Sequence, residues 1–207
     1  MLTLPVLKKM LHQAAVDLKA KSTYLCELDG ATGDGDHGIT IGRMADVMKT
    51  KTEDSTIDTM KMLLDELGDA FMGCNGGSAG PLWGTIFSGM AAGIDDQAEL
   101  TALEFKGMFT QAKTDFMEIS KAKPGDKTMV DALYPAIDAI IAAEGTLQET
   151  MDAAAAAAVA GAEQTSKLVA KFGRAKNMGE RSRGSKDPGA VSVSILFSSM
   201  AQALKNL

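Results

Sequence analysis

The residues best equipped for chemistry lie in one short run, Asp29-Gly30-Ala31-Thr32-Gly33-Asp34-Gly35-Asp36-His37-Gly38. Three carboxylates fall within it, separated by glycines. Carboxylates this close repel one another unless a cation sits among them. Hard oxygen donors on a pliable turn suit Mg²⁺ or Ca²⁺, which makes Asp29, Asp34 and Asp36 candidate metal ligands. The other reading is an Asp-rich turn in which Asp36 or His37 opens a helix. An EF-hand is excluded, because the ligand spacing is wrong and no Glu closes the loop. Gly33-x-Gly35-x-x-Gly38 matches the dinucleotide fingerprint only in letters, since no strand precedes it and no βα alternation surrounds it. His37 is read as a ligand contact or a helix cap in preference to a phosphorylated nucleophile, because no acid is placed to orient it.

Three further segments carry unusual chemistry. Gly73-Cys74-Asn75-Gly76-Gly77-Ser78-Ala79-Gly80-Pro81 lets backbone amides approach a ligand, and the helix after it offers free N–H groups to phosphate. It is not a Walker A loop, and a tight helix–helix turn is the plainer reading. Lys121-Ala122-Lys123-Pro124-Gly125-Asp126-Lys127-Thr128 sets lysines against a helix N-terminus, either as an anion site or as a solvated turn. The stretch from Gly173 to Ala190 is long, basic and poor in apolar residues, the composition of a lid or of a disordered surface loop.

The elements that must position these segments are helices. Apolar stripes at helical spacing run through Leu7, Met10, Leu11, Ala14 and Leu18, and through Ile57, Met60, Leu63, Leu64, Leu67 and Phe71. Others comprise Met108, Phe109, Ala112, Phe116 and Ile119; Leu133, Ile137, Ile140 and Ile141; and Ile195, Leu196, Met200, Ala203 and Leu207. Capping signatures stand at Ser55/Asp58, Thr101/Glu104, Thr128/Asp131 and Thr146/Glu149. The pattern predicts eight helices over residues 4–25, 38–50, 56–72, 78–94, 102–121, 128–144, 147–172 and 190–206, with no convincing strand. Pro135 should kink the sixth or shift its start. Gly84, Gly89 and Gly93 should let the fourth pack closely on a neighbour, and Ala153–Ala158 reads as helix propensity and close packing.

Short connections favour antiparallel neighbours, so the expected fold is an all-α, eight-helix up-and-down barrel or bundle over residues 1–207. The first, third, fifth and seventh connections then lie at one end, and these are the four unusual segments. Carboxylates, a divalent cation, Arg and Lys side chains and helix N-termini together describe a polyphosphate site. The residues alone thus point to a Mg-nucleotide-binding helical bundle.

Composition agrees with this reading. The chain has 207 residues, 45% of them hydrophobic but only 5% aromatic, which supports a helical core. The formal net charge of -6 argues against general nucleic-acid binding. Cys26 and Cys74 read as two reduced thiols, and no signal peptide or membrane span is evident. The expectation is a cytoplasmic protein with no membrane partner.

The ordered set Gly33-Asp34-Gly35-Asp36-His37-Gly38, the Gly76–Gly80 turn, Lys123-Pro124-Gly125-Asp126-Lys127-Thr128-Met129, Gly173-Arg174-Ala175, Gly179-Glu180-Arg181-Ser182 and Asp187-Pro188-Gly189-Ala190 resembles the L subunits of dihydroxyacetone kinases. The resemblance spans almost the whole chain. It implies a barrel of eight antiparallel helices in which Asp29, Asp34 and Asp36 hold two Mg²⁺ against the phosphates. It also implies that His37, Gly38, Ile39, Thr40, Ser78, Ala79, Ser120, Met129, Arg174, Asp187, Pro188 and Gly189 lie against ADP or ATP. Lys127 and Arg174 would be charge stabilisers, and Asp187-Pro188-Gly189 would end a lid. By the same resemblance, ADP is a retained cofactor that a phosphotransferase-system M subunit phosphorylates. The phosphoryl group, drawn ultimately from phosphoenolpyruvate, passes to dihydroxyacetone on a separate K subunit, for which 207 residues leave no room. A homodimer is also allowed. The lid stretch Lys176-Asn177-Met178 departs from the family pattern by being more polar than the aromatic or aliphatic residues expected there. The competing readings are an ATP-using L subunit for another ketose such as erythrulose, a non-catalytic nucleotide-sensing regulatory subunit and, remotely, a metal-dependent phosphohydrolase.

Overall fold

The structure, a computed structural model, describes residues 1–75 and 77–206. Gly76 of the glycine turn and Leu207 of the last stripe lie outside the described residues. In chain order the elements are β1 (Leu2–Thr3), α1 (Leu4–Ala20), α2 (Ser22–Gly30), α3 (His37–Glu53), α4 (Met60–Met72) and α5 (Ala79–Ala92). There follow β2 (Glu99–Leu100), α6 (Ala102–Ile119), α7 (Val130–Ala142), α8 (Leu147–Gln164), 3₁₀ turns at Thr165–Lys167 and Arg174–Ser182, and α9 (Pro188–Lys205). Strands β1 and β2 form one short antiparallel pair with Leu2 opposite Leu100, a pairing the helical pattern concealed.

The helices pack as a closed ring. From α3 onward each lies against its successor, and α9 returns to α1, which also packs on α3. Each buries its apolar stripe in a common core that includes Leu7, Leu67, Phe71, Trp83, Phe87, Phe116 and Phe197. Phe71 and Phe87 meet edge to face, with ring centroids 5.1 Å apart. Two stripe residues fall outside the core: Ile119 and Ile141 are exposed. Small residues bring backbones together where the sequence suggested. A Cβ at Gly89 would lie 2.7 Å from Ala112 Cα, and Ala154 and Ala158 are fully buried on α8.

The eight expected helices become nine among the described residues because the first breaks at Lys21. The break turns α2 onto α3, where Gly38 sits so close that a Cβ would lie 1.8 Å from Ser22 O. Helix α8 stops at Gln164, eight residues before its expected end, because the chain leaves for the neck of the long loop. The expected cap at Ser55 is replaced by Thr59, whose side chain accepts from Met62 N. Residues before it are held in a turn: Asp54 Oδ1 accepts from Thr56, and Lys8 Nζ donates to the carbonyls of Asp54 and Ile57. Pro135 lies inside α7, which starts at Val130 instead of Thr128. The Asp131 carbonyl, which Pro135 cannot bond, faces Gly161 of α8; a Cβ there would lie 1.9 Å from it.

Candidate functional site

Because the helices alternate in direction, the connections 31–36, 73–78, 120–129 and 165–187 share one end of the barrel, together with the N-termini of α3, α5, α7 and α9. Side chains tie the four connections to one another and to the helix starts. Arg174, on the last connection, pairs with Asp34 and lies 3.9 Å from Asp36 on the first. Arg43 of α3 donates to Asn75 O at 3.1 Å. Lys171 pairs with Asp126 at 2.7 Å. Every described residue with positive φ also lies in these connections, namely six glycines and Lys127.

The acidic loop is preorganised. Asp29 lies in the last turn of α2, and its Oδ2 accepts from the backbone N–H groups of Asp36 at 3.0 Å and His37 at 3.2 Å. It thereby caps the start of α3 from outside, so that Asp34 and Asp36 are not used as caps and instead meet Arg174. Oxygens of Asp29, Asp34 and Asp36 come within 4.8 Å of one another. A Cβ at Gly33 would stand 2.5 Å from Asp29 Oδ1, so the glycine keeps room beside that oxygen. Three hard donors around a space that only glycine leaves open fit a divalent cation such as Mg²⁺.

His37, the first residue of α3, is oriented by α9. Its Nε2 lies 2.8 Å from Ser192 Oγ, whose hydroxyl is itself within bonding distance of the Pro188 and Gly189 carbonyls. With its proton directed to those carbonyls, the hydroxyl accepts from Nε2–H, an assignment made by the network. Burial lowers the His37 pKa and outweighs the raising effects of Asp29 and the Pro188 carbonyl. The neutral ring therefore presents Nδ1 as an acceptor. The residue that orients it is a serine one turn into an apolar helix, which no local motif marks.

The other expected site residues divide by exposure. Gly38, Thr40 and Met129 are buried; Ile39, Ser78 and Arg174 are exposed; Ala79, Ser120, Asp187, Pro188 and Gly189 are half-buried. Ser78 stands at the start of α5 with no side-chain capping bond, so its hydroxyl is not consumed locally. Met129 and Gly189 are neighbours, since a Cβ on the glycine would lie 3.2 Å from Met129 Cβ. Asp187 caps α9 by accepting from Ala190 N at 2.8 Å. Its enclosed carboxyl has its pKa pushed up to about 7, chiefly by burial and further by Asp131, against the opposing effects of the Ala190 N–H and Lys127.

Lys127 has other partners than the motif match implied. It is 2% exposed, and its ammonium donates to the backbone carbonyls of Thr165 and Ser185. Thr128 is half a cap: its N–H donates to Asp131 Oδ2 at 2.8 Å, but α7 begins two residues later. A cleft of about 420 Å³ opens between Thr32, Gly33 and Asp34 on one wall and Arg174, Asn177 and Met178 on the other. Asn177 and Met178 of the polar lid stretch thus face the acidic loop across this cleft.

A closed helical barrel with an acidic, amide-rich mouth suits a divalent cation and an anionic ligand, and the proteins it is similar to are kinases. Residues 31–202 match the model of the DAK2 domain. The chain is 32% identical over 188 residues to the PEP-dependent dihydroxyacetone kinase, ADP-binding subunit DhaL, of Escherichia coli (strain K12), covering 89% of this chain and 90% of that protein. It is 34% identical over 192 residues to the corresponding subunit of kinase 2 from Listeria innocua, covering 91% and 89%. It is also 32% identical to L-erythrulose kinase of Pectobacterium atrosepticum, of which it spans 32%. The crystal structure of the dihydroxyacetone kinase of C. freundii superposes with a TM-score of 0.73 at 26% identity, over 94% of this chain and 34% of that one. The same kinase in complex with AMP-PNP and Mg²⁺ gives a TM-score of 0.71. The chain belongs to the DAK2 family, that of the dihydroxyacetone kinase L subunits.

Proposed function

We propose that this chain, as a single L domain over residues 1–207, is the ADP-binding subunit of a cytoplasmic dihydroxyacetone kinase. Mg-bound ADP in the four-loop mouth is phosphorylated by a phosphotransferase-system M subunit, and the phosphoryl group passes to dihydroxyacetone held on a separate K subunit. The observation that carries this reading is the Asp29, Asp34 and Asp36 cluster, met by Arg174 at an end where four helix N-termini converge. Its likeness to named ADP-binding subunits along most of both chains supports the same reading.

Asp29, Asp34 and Asp36 would hold two Mg²⁺, which when bound supply charge neutralisation at the transferring phosphate. The chain's own groups do the rest. The start of α5, which has no side-chain cap, offers N–H groups to anionic oxygens, and the positive dipole ends of α3 and α9 add to the attraction. His37 to Thr40, Ser78, Ala79, Ser120, Met129 and Asp187 to Gly189 form the walls of the nucleotide site. Neutral His37 accepts through Nδ1 and adds no competing positive charge. Arg174 moves between the carboxylates and the phosphate oxygens, and the lid that carries it excludes water from the reaction.

The test is reconstitution. Extensively washed protein is denatured and its released nucleotide and metal identified. Native protein is then supplied with phosphoenolpyruvate, the phosphotransferase components, K subunit and dihydroxyacetone. ADP with about two Mg²⁺ per chain and formation of dihydroxyacetone phosphate are expected. Tight ADP binding with no transfer to any K partner would instead identify a regulatory subunit. The likeness to L-erythrulose kinase favours one second reading, an L subunit that serves another ketose with free ATP. Rapid exchange of bound nucleotide with labelled ATP would establish it.

A further inference from the structure

Among the described residues Lys127 is the only non-glycine with positive φ, at 59°. A left-handed conformation at an L residue costs roughly 1–2 kcal/mol, and the protein accepts it in a lysine, which has no local bond to favour it. The consequence is where the side chain goes. It enters the interior, and its ammonium donates to Thr165 O at 2.7 Å and to Ser185 O. These carbonyls stand at the two ends of the 166–186 segment that bears Arg174.

Everything around that neck repeats the same fastening. Asp187 N donates to Thr165 Oγ1 at 2.9 Å, and Gly184 N to Ser166 O at 2.8 Å. Lys171 bonds Asp126 through its own N–H at 3.1 Å and through its ammonium. The turn from which Lys127 projects is itself held: Asp126 accepts from Lys123 N, and Asp131 from the N–H groups of Gly125 and Thr128. A rigid line therefore runs from the start of α7 through Lys127 to the neck of the segment, and along the segment to Arg174 over the acidic loop.

We propose that Lys127 is a positioning residue whose ammonium cinches the two ends of the 166–186 segment and so sets where Arg174 stands, without touching phosphate. The functional consequence, slower release of nucleotide, rests on the function proposed above; the cinch itself does not.

Two variants test it in the full chain. Lys127→Gly keeps the left-handed turn and removes the side chain; Lys127→Met keeps an apolar stem and removes the ammonium. Hydrogen exchange of residues 168–184 should quicken by about tenfold or more in both, the scale of losing hydrogen bonds to a charged group, while the barrel helices exchange as before. Release of Mg-ADP should quicken in step. Added propylammonium should restore slow exchange in Lys127→Gly, whose stem channel is vacated, and not in Lys127→Met. Unchanged exchange of the segment in both variants would overturn the proposal. Faster ADP release with unchanged exchange would also overturn it, by returning Lys127 to the phosphates. A wild-type protein that holds no ADP while the exchange difference persists would leave the cinch standing and sink the nucleotide reading instead.

Discussion

Replacing Gly38 by alanine should damage both the barrel and its mouth. A Cβ at this position would lie 1.8 Å from Ser22 O and 2.8 Å from Cys26 N, both of them backbone atoms. Relieving the first contact requires about 1.5 Å of separation between α2 and α3, since ordinary contact begins near 3.4 Å. Overpacking of this kind costs about 1–3 kcal/mol, and rigid backbone on both sides places it at the upper end. Alanine gains up to about 1 kcal/mol over glycine in helix propensity, which leaves a net loss of about 2 kcal/mol. At this chain length that lowers Tm by roughly 4–8 °C. The displaced segment carries His37 and follows Asp36, so ADP affinity measured by calorimetry should fall as well. Gly89→Ala is the control: its Cβ would lie 2.7 Å from Ala112 Cα, but the site is ~15 Å along α5 from the mouth. It should lower Tm and leave ADP affinity alone. An unchanged Tm and normal ADP binding in Gly38→Ala would refute the close α2–α3 contact and the inference that it positions the acidic loop.

Three further outcomes follow from particular bonds. Asp34→Asn or Asp36→Asn should abolish Mg-dependent ADP retention in equilibrium dialysis while the helical circular dichroism stays intact. Thr101→Ala and Thr146→Ala, which each dismantle a capping box at the opposite end, should cost about 1 kcal/mol apiece in urea unfolding and leave ADP binding untouched. Asp187 has its folded pKa raised to about 7, so the folded state holds a proton there that the unfolded state has released. Its contribution is fully present below the unfolded carboxylate pKa near 4 and is lost as pH rises through 7. His37, with a lowered pKa, acts in the opposite sense below about 6.5, so the Asp187 effect is read as a difference. Asp187→Asn keeps an N-cap acceptor and removes the titration; relative to wild type its unfolding free energy should improve as pH rises from 5 towards about 7 and level off above it. A constant difference across that range would count against the raised pKa.

Local rules located the elements and failed where tertiary contacts decided the outcome. The boxes at Thr101/Glu104 and Thr146/Glu149 formed as read, because both partners lie within one turn and face solvent. Ser55 failed as a cap because a distant lysine, Lys8, holds the residues beside it in a turn. The break at Lys21 left no mark in the periodicity, since Leu18 and Leu25 are both buried; its cause is the fit of Gly38 against Ser22 O. The stretch after Gln164 kept a helical pattern, but Ala170 N is taken by Ser182 Oγ at 2.9 Å across the neck. For the site, the convergence of four connections followed from helix count and alternation alone. Ser192 and Arg43 did not: each is an ordinary residue within a helix whose partner lies far away in sequence.

The two ends of the barrel therefore do different work. One end is closed by capping boxes, by lysines on helix-end carbonyls and by the short β1–β2 pair, devices that satisfy backbone groups with side chains and so add stability. The other end holds all the described positive-φ residues and leaves the start of α5 without a side-chain cap. N–H groups at the start of α5 that no side chain caps are a cost that an anionic ligand would remove. Binding that satisfies those groups stabilises the folded chain by linkage, so an L subunit loaded with ADP should melt well above the empty one. Nucleotide retention, if the proposed function holds, and the stability of the barrel would then be one property, built at the end where the sequence places its glycines and acids together.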